Sequence, residues 1–268
     1  MKHRARKRFG QHFLHDPGVI ARIIDAINPR PGEQLIEIGP GRGALTVPLL
    51  DRLDKLEVVE LDRDVIPLLR ASCEGRGELA IHNVDALRFD FSTLADTAGS
   101  LRIVGNLPYN ISTPLLFHLL GHDTGIRDMH FTLQKEVVTR MAAGPGNKDY
   151  GRLTVMLATA CRVEPLFDIG PGAFSPPPKV RSTFVRLTPW ESPPFPLDDR
   201  AAFAALVSRA FSKRRKTLRN ALSGLLDESG IVAAACDPSA RPETVEPAGF
   251  ARLAHEYLQR NQPTHPGN

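Results

Sequence analysis

An alternation of short apolar segments with helical segments runs through the first two-thirds of the chain and constrains the fold more than any other feature. It is typical of a parallel β-sheet covered by helices on both faces, which predicts an α/β fold. The predicted strands are 34–38, 56–61, 79–82, 101–105, 129–133, 166–169 and 183–187. The predicted helices are 44–53, 65–70, 114–120, 136–141 and 152–161.

A proline-rich segment separates this region from the C-terminal part of the chain. Residues 188–196 contain four prolines, which remove backbone donors that a helix or strand needs. Beyond it, apolar residues recur at helical spacing in three stretches, so a small all-helical domain is predicted. We therefore predict a catalytic α/β domain over 1–188, a linker over 189–197 and a helical domain over 198–268. The helical stretches contain Phe203, Leu206, Val207, Ala210 and Phe211, then Leu218, Ala221, Leu222 and Leu225, then Phe250, Leu253, Ala254, Tyr257 and Leu258.

Basic residues gather in two places, although the net charge is only +4. Five of the first eight residues are lysine or arginine, and a second cluster lies between residues 209 and 219. One such cluster alone is equally compatible with a solvated surface, but two of them favour contacts with nucleic-acid phosphates. The predicted RNA-binding residues are Arg4, Arg6, Lys7, Arg8, Lys213, Arg214, Arg215, Lys216 and Arg219.

The cysteines and the hydropathy pattern bear on the compartment. Cys73, Cys161 and Cys236 lack the paired spacing of a zinc site or a disulfide framework. No apolar run approaches the length needed to cross a bilayer, and the basic N-terminus is not followed by the apolar segment of a signal peptide. We predict a cytoplasmic protein with neither a membrane nor a metal partner.

A glycine-rich motif, Glu37-Ile-Gly-Pro-Gly-Arg-Gly43, begins in the last residues of the first predicted strand, and its glycines directly follow that strand. Gly39 and Gly41 let the backbone turn tightly and approach a ligand at the start of a helix, which predicts a site for a nucleoside-type cofactor. With Ala44 the motif also satisfies a loose dinucleotide fingerprint, so a nicotinamide enzyme is an alternative. The Glu37 carboxylate argues against that alternative because it lies close to where a pyrophosphate would sit.

Acidic residues also stand at the ends of the next two predicted strands. Glu60 has the spacing at which a strand-end carboxylate binds ribose hydroxyls, and Asp85 can accept a hydrogen bond from the amine of a cofactor's adenine. Either residue alone also fits a helix cap or an exposed loop. Their positions at successive strand ends favour one shared site, because the carboxyl ends of parallel strands meet at one edge of a sheet.

The segment Asn106-Leu-Pro-Tyr109 offers the groups that a planar exocyclic amine needs. Pro108 favours an extended backbone at Leu107, so that the Leu107 carbonyl can join the Asn106 side-chain oxygen as an acceptor for the two amine hydrogens. Tyr109 offers a stacking face for the target base, worth about 1 to 3 kcal/mol. The same segment also fits a turn at the end of a strand. Beside the glycine motif, it predicts methyl transfer to adenine.

This chemistry needs orientation rather than a strong general base. The nitrogen gains positive charge during attack and can lose its proton afterwards, so a neutral amide suffices. Correct orientation can lower the barrier by roughly 7 to 11 kcal/mol at the limit. A base held in this way cannot remain stacked in a duplex, so single-stranded or looped RNA is the predicted substrate.

Seven segments of the chain together resemble the bacterial small-subunit ribosomal RNA adenine dimethyltransferases of the kasugamycin-sensitivity type. The resemblance runs over essentially the whole chain and implies a Rossmann-like class I methyltransferase sheet with a helical C-terminal domain. It also implies S-adenosyl-L-methionine as donor and N6,N6-dimethylation of two adjacent adenosines near the 3′ end of 16S ribosomal RNA, within a 30S subunit or its precursor. The segments are 7–14, 37–43, 59–63, 105–114, 133–137, 150–153 and 174–180.

The resemblance also implies roles for single residues, carried over by position. Donor-binding roles fall to His12, Leu14, Gly39, Glu60, Asp85 and Asn106, and amine-binding roles to Asn106, Leu107 and Tyr109. Phe174 is expected to be a second stacking face. The family usually has asparagine where His12 stands. The C-terminal domain is expected to contact ribosomal RNA, and the protein is expected to be a monomer.

Three other functions fit parts of the same pattern. A DNA adenine methyltransferase shares the amine chemistry but usually has proline where Leu107 stands, and this sequence has no evident DNA-reading module. The macrolide-resistance methyltransferases modify large-subunit RNA with a similar catalytic domain, but segments 105–114 and 174–180 favour the small-subunit enzymes. A ribosome-assembly factor whose main task is binding immature subunits is the third.

Overall fold

The computed structural model describes residues 12–95, 97–121, 125–213 and 215–261. The strands in this part are β1 (Phe13–Leu14), β2 (Leu35–Ile38), β3 (Lys55–Val59), β4 (Glu78–His82), β5 (Leu101–Asn106), β6 (Ile126–Gln134), β7 (Cys161–Ile169), β8 (Phe174–Ser175) and β9 (Ser182–Pro189). The helices are α1 (Pro17–Ile27), α2 (Thr46–Leu50), α3 (Ile66–Cys73), α4 (Ser112–Gly121), α5 (Lys135–Met141), α6 (Arg152–Ala158), α7 (Arg200–Ser212), α8 (Leu218–Ala221), α9 (Glu228–Ala233) and α10 (Pro247–Asn261). All seven predicted strands are therefore confirmed, with bounds that differ by a few residues.

The main sheet has seven strands in the order β4-β3-β2-β5-β6-β9-β7. Strands β4, β3, β2, β5 and β6 run parallel, and β9 pairs antiparallel with β6. After β2 the chain builds the sheet outward through β3 and β4, then returns to place β5 on the other side of β2. Ligands of open α/β sheets bind at such a reversal, in the crevice beyond the carboxyl ends of the strands.

A second, two-stranded sheet ties the N-terminal segment to a distant part of the chain. Strand β1 pairs antiparallel with β8, with Phe13 opposite Ser175 and Leu14 opposite Phe174. The N–H of His15 extends this pairing by donating to the Ala173 carbonyl at 2.9 Å. Two sequence segments about 160 residues apart are thus brought side by side.

Helix α1 is absent from the helices predicted above, although the sequence contains its signals. Asp16 caps its N-terminus by accepting a hydrogen bond from the Val19 N–H at 3.0 Å, and proline occupies the first helical position. Its inward face buries Ile23, Ile24 and Ile27. The apolar spacing of these isoleucines and the Asp-Pro start were sufficient to predict the helix.

Two predicted helices are shorter in the structure. The helix predicted over 44–53 becomes α2, in which Pro48 lies within the first turn, where its missing N–H has no intrahelical acceptor to lose. The helix predicted over 152–161 overruns its true end, because α6 stops at Ala158 and Cys161 already begins β7.

The described chain forms two compact units that differ from the predicted contiguous division. One unit contains the chain up to Val138 and Glu164–Pro189, and the other contains Thr139–Val163 and the chain from Trp190 onward. The predicted domain over 1–188 includes the segment that contains α6, whereas the structure groups that segment with the C-terminal helices.

Packing explains why the segment that contains α6 belongs to the unit of the C-terminal helices. Tyr150 and Val155 belong to the same apolar core as Phe203 and Phe250 of the C-terminal helices. The Tyr150 hydroxyl also donates to the Val245 carbonyl at 2.7 Å.

The C-terminal helices bury most of the predicted apolar stripes. Helix α7 buries Phe203, Leu206, Val207 and Ala210, and α10 buries Phe250, Leu253 and Ala254. The stripe from Leu218 to Leu225 is only partly helical, because α8 ends at Ala221. In this stretch Leu226, rather than Leu225, is buried in the core. Within the described ranges, no helix has both the length and the apolar character to span a membrane.

Candidate functional site

The glycine motif forms a tight turn between β2 and α2. Gly39 and Gly41 have φ angles of 69° and 55°, a left-handed region that side chains with a Cβ rarely adopt. A Cβ on Gly41 would lie only 3.0 Å from the Phe13 ring. Glycine at this position therefore lets β1 pack directly on the turn.

The Glu60 carboxylate lies at the end of β3 and is hydrogen-bonded on both oxygens. Oε2 accepts from the Gly41 N–H at 3.1 Å, and Oε1 accepts from the Asp62 N–H at 2.8 Å. Glu60 is 6% exposed, and this burial raises the pKa of its carboxyl although the two hydrogen bonds oppose the rise. A carboxylate held in this way can still accept hydrogen bonds through its remaining lone pairs.

Glu37 is a second buried carboxyl beneath the glycine turn. It is 1% exposed, and Oε2 accepts a hydrogen bond from the Thr46 hydroxyl at 2.6 Å. Burial, reinforced by the nearby Glu60 carboxylate, raises the pKa of Glu37 to about 8. Glu37 therefore carries its proton at neutral pH.

Asp85 lies shortly after β4, where its Oδ1 accepts from the Leu87 N–H at 3.0 Å. Leu61, which is not among the predicted site residues, contributes an apolar side chain to the same region and is 50% exposed. Its position directly after Glu60, at the end of a buried strand, could have predicted that Leu61 lines the site.

The Asn106 side chain points back toward the N-terminal strand. Its Nδ2 donates to the main-chain carbonyl of His12 at 2.8 Å, so Oδ1 is the acceptor end of the amide. Close packing places this residue, because a Cβ on Gly105 would lie 2.7 Å from the Ile38 carbonyl oxygen. Strands β2 and β5 can therefore approach only with glycine at position 105.

Tyr109 is held at its hydroxyl end. Its oxygen lies 2.7 Å from the Ser182 hydroxyl, and the ring centroid is 5.6 Å from that of His12. Burial raises the pKa of the Tyr109 phenol, so it is neutral at physiological pH. The ring is thus anchored at one end and contacted by an imidazole.

These elements enclose a single cavity of about 240 Å³ at the carboxyl ends of β2, β3, β4 and β5. The predicted cofactor site and the predicted amine site both contribute residues to its walls, so the structure brings the glycine turn and the Asn106–Tyr109 segment together. The lining residues are His12, Phe13, Ile38, Gly39, Gly41, Val59, Glu60, Leu61, Asp62, Val84, Asp85, Ala86, Leu87, Asn106, Leu107, Pro108, Tyr109, Asn110 and Ile111.

Two predicted site residues lie elsewhere. Leu14 and Phe174 are 5% and 2% exposed and pack within the core, so neither side chain lines the cavity. A role of Phe174 as a second stacking face stays a prediction. Side chains alternate along a strand, and in β1 it is Phe13, also contacted by the Arg42 guanidinium 4.7 Å above its ring, that faces the cavity.

The predicted RNA-binding residues are only partly described. Lys213, Arg215, Lys216 and Arg219 are exposed, and Arg219 pairs with Glu228 at 3.2 Å. The other predicted residues lie outside the described residues, namely Arg4, Arg6, Lys7, Arg8 and Arg214. Among the residues that the structure describes, no group of histidine, cysteine or acidic side chains is arranged to hold a metal ion.

The sheet order and the position of this cavity define a Rossmann-like methyltransferase. The sequence model of the ribosomal RNA adenine dimethylase family matches residues 2–255, and the chain belongs to this family. This membership confirms the predicted enzyme class and excludes the nicotinamide and DNA alternatives.

Individual relatives agree with this assignment. Ribosomal RNA small subunit methyltransferase A of Pseudomonas putida is 57% identical over 261 residues, which are 97% of this chain and 98% of the relative. A crystal structure of a dimethyladenosine transferase from Plasmodium falciparum superposes with a TM-score of 0.77 at 26% identity, covering 93% of this chain and 98% of that one. The 23S rRNA methyltransferase ErmE has a TM-score of 0.71 at 25% identity, covering 91% and 99%.

Proposed function

We propose that this chain transfers methyl groups from S-adenosyl-L-methionine to N6 of two adjacent adenosines near the 3′ end of 16S ribosomal RNA. The product is N6,N6-dimethyladenosine, and the modification contributes to small-subunit biogenesis. The observation that carries the proposal is that one cavity has the glycine turn and Glu60 on one wall and Asn106 and Tyr109 on another.

The donor half of the cavity suits a nucleoside. Gly39 and Gly41 leave the backbone open to close approach, Glu60 can accept from ribose hydroxyls, and Asp85 can accept from an exocyclic amine. Leu61 provides apolar surface for a purine ring. When bound, S-adenosyl-L-methionine supplies a methyl group on a positively charged sulfur, from which an amine lone pair can accept it.

The amine half would bind the target base. Asn106 Oδ1 and the Leu107 carbonyl accept the two N6 hydrogens, while Tyr109 stacks on the base. Holding both hydrogens directs the nitrogen lone pair, and Pro108 keeps the Leu107 backbone extended. The proton leaves to solvent after methyl transfer, so the chain need only orient the amine.

The helical region would contact ribosomal RNA through its exposed basic residues, Lys213, Arg215 and Lys216. We expect residues 1–188, apart from Thr139–Val163, to contain the catalytic elements. We expect residues 198–268 to form an RNA-contacting domain. We also expect a cytoplasmic monomer. The small-subunit relatives at 57% identity favour 16S RNA over the 23S substrate of ErmE, to which the identity is 25%.

The proposal is tested with ribosomal subunits purified from cells that lack the modification. The protein and labelled donor are incubated with 30S or 50S subunits, and the modified nucleotides are mapped by mass spectrometry. We expect two dimethyladenosines near the 3′ end of 16S RNA. Label only in 23S RNA would favour the macrolide-resistance activity, and no label in either RNA would refute the proposal.

Asn106→Ala provides the matched control. Loss of one oriented acceptor should raise the methylation barrier by about 2 to 4 kcal/mol, while 30S binding remains. Unchanged turnover would contradict the amine-site assignment. Retained binding would also measure, separately from catalysis, any role of the protein as an assembly factor.

A further inference from the structure

We infer that His12 is a positioning residue for the methyl-transfer step, because it holds the two side chains that face the target amine. The resemblance assigned His12 to donor binding, whereas its observed contacts go to Asn106 and Tyr109. The inference rests on the proposed function and adds the orientation of its amine site.

The first contact sets the direction of the Asn106 amide. An amide has a donor end and an acceptor end, and the 2.8 Å hydrogen bond from Nδ2 to the His12 carbonyl consumes the donor end. Oδ1 is then the end available to the hydrogens of an amine. The reversed amide would place Nδ2 against those hydrogens, donor against donor, and would lose the hydrogen bond to His12.

The second contact fixes the His12 carbonyl itself. His12 directly precedes β1, so the backbone pairing between β1 and β8 begins only at the next residue. The imidazole Nδ1 lies 2.7 Å from the Pro176 carbonyl oxygen, and a carbonyl can only accept, so Nδ1 carries a hydrogen. This tether exists in both the neutral and the protonated imidazole, and it holds the leading end of β1 against the segment after β8.

The third contact concerns the stacking ring. The His12 and Tyr109 ring centroids are 5.6 Å apart with a tilt of 32°, and the Tyr109 hydroxyl is hydrogen-bonded to Ser182. The tyrosine is therefore restrained at both its edge and its face. One residue thus connects the acceptor amide, the aromatic face and the 174–176 segment.

Three substitutions separate the tether from the ring contact. His12→Phe keeps an aromatic ring near Tyr109 but removes the donor, and His12→Asn keeps a donor at the δ position without the ring. His12→Ala removes both. His15→Ala is the matched control, since His15 lies in the same segment with an exposed side chain.

We expect His12→Phe and His12→Ala to lower the single-turnover methylation rate about tenfold, as loss of one orienting hydrogen bond implies, with donor affinity within about twofold of wild type. His12→Asn should restore most of the rate, and His15→Ala should leave it unchanged. In NMR spectra, the Asn106 side-chain NH₂ should exchange slowly in the wild type and faster in His12→Phe.

Two results would overturn the inference. One is a His12→Phe rate within about twofold of wild type, and the other is a weakened donor affinity with an unchanged rate, which would return His12 to donor binding. If the wild type fails to methylate adenosine, the proposed function fails on its own. The exchange rate of the Asn106 amide still decides whether His12 orients it.

Discussion

The Oε2 atom of Glu60 accepts the N–H of Gly41 at 3.1 Å, so a single buried carboxylate joins the end of β3 to the glycine turn. The other oxygen accepts the Asp62 N–H. Glu60 therefore shapes the turn in addition to facing the cavity. A substitution at this position should change the turn and the ligand affinity together.

Glu60→Gln should weaken donor binding more than tenfold and destabilise the fold by about 1 to 3 kcal/mol. The amide has one acceptor oxygen for two backbone N–H groups, so its NH₂ must face a donor in either orientation. Calorimetric titration with the donor and thermal denaturation measure the two effects. Asp85→Asn is the comparison, because the Asp85 side chain accepts a hydrogen bond from one backbone N–H, that of Leu87, and the variant should lose affinity with little loss of stability.

Tyr109→Phe and Tyr109→Ala should have effects of different size. The phenylalanine keeps the stacking face and loses only the hydrogen bond to Ser182, so it should raise the free-energy barrier to methyl transfer by about 1 kcal/mol. The alanine also loses the stacking face, which should raise the barrier by a further 1 to 3 kcal/mol, roughly. Single-turnover rates on 30S subunits compare them. Equal rates for the two variants would show that the ring does not contact the base.

Glu37 should make stability fall as pH rises. The folded pKa of Glu37, about 8, lies above the usual glutamate value of 4.5, so below pH 4.5 both the folded and the unfolded chain hold the proton and there is no penalty. Between these values, unfolding releases the proton and favours the unfolded chain increasingly, up to roughly 5 kcal/mol above pH 8.

Glu37→Gln should abolish that decline and be more stable than wild type at pH 8, since its amide oxygen can still accept from Thr46. Urea denaturation without donor, from pH 5 to pH 9, measures the difference. Glu191→Gln, at an exposed position, is the control and should follow the wild-type curve. Parallel curves for Glu37→Gln and wild type would contradict the buried, protonated state.

Among the charged residues that the structure describes, Arg102 is the one whose replacement should lower the free energy of unfolding most. It is 4% exposed and donates to Glu33 at 2.7 Å, to Asp128 at 3.0 Å and to the Ile27 carbonyl at 2.7 Å. Arg102→Met removes a buried guanidinium and leaves two partly buried carboxylates without this partner, so it should cost about 3 to 5 kcal/mol at pH 7. Arg127→Met removes a guanidinium that is 56% exposed from the same Glu33 and should cost less than about 1 kcal/mol.

The stability lost in Arg102→Met should also depend on pH in the acid range. Burial raises the pKa of Asp128, but the His130 imidazole, 3.4 Å from the carboxylate, and the hydrogen bonds from Arg102 outweigh it and hold the pKa at about 2. Because this pKa lies below the usual aspartate value of 3.8, the stabilisation is present above pH 3.8 and is lost as pH falls toward 2. The difference between wild type and Arg102→Met should therefore shrink below pH 4. A difference that does not change with pH would contradict the assignment.

The basic cluster should determine the salt dependence of RNA binding. If Lys213 and Lys216 each contact a phosphate, replacing either by glutamine should reduce the slope of log K against log salt by about 0.7 to 0.9. Arg219→Gln should have a smaller effect because Arg219 already pairs with Glu228. Lys55→Gln, at the start of β3, should leave the slope unchanged. Filter binding to 30S subunits at several salt concentrations provides the measurement.

Local patterns were sufficient to predict much of this protein. The strands, the glycine turn, Glu60, Asp85 and the Asn106–Tyr109 segment follow from residue spacing, because period, turn geometry and strand-end chemistry are properties of neighbouring residues. Parallel strands then bring their carboxyl ends to one edge, so a shared cavity also followed from the sequence.

The tertiary structure alone decided which side chains of the remote segments reach that cavity. His12 and Phe13 line it, whereas Leu14 and Phe174 are buried, because the pairing of β1 with β8 sets the faces of both strands. The hydrogen bond between His12 and Pro176 spans 164 positions, and no local period reports such a contact. Tyr150 likewise joins the C-terminal core through long-range packing, since hydrophobic burial depends on the partners that the folded chain supplies.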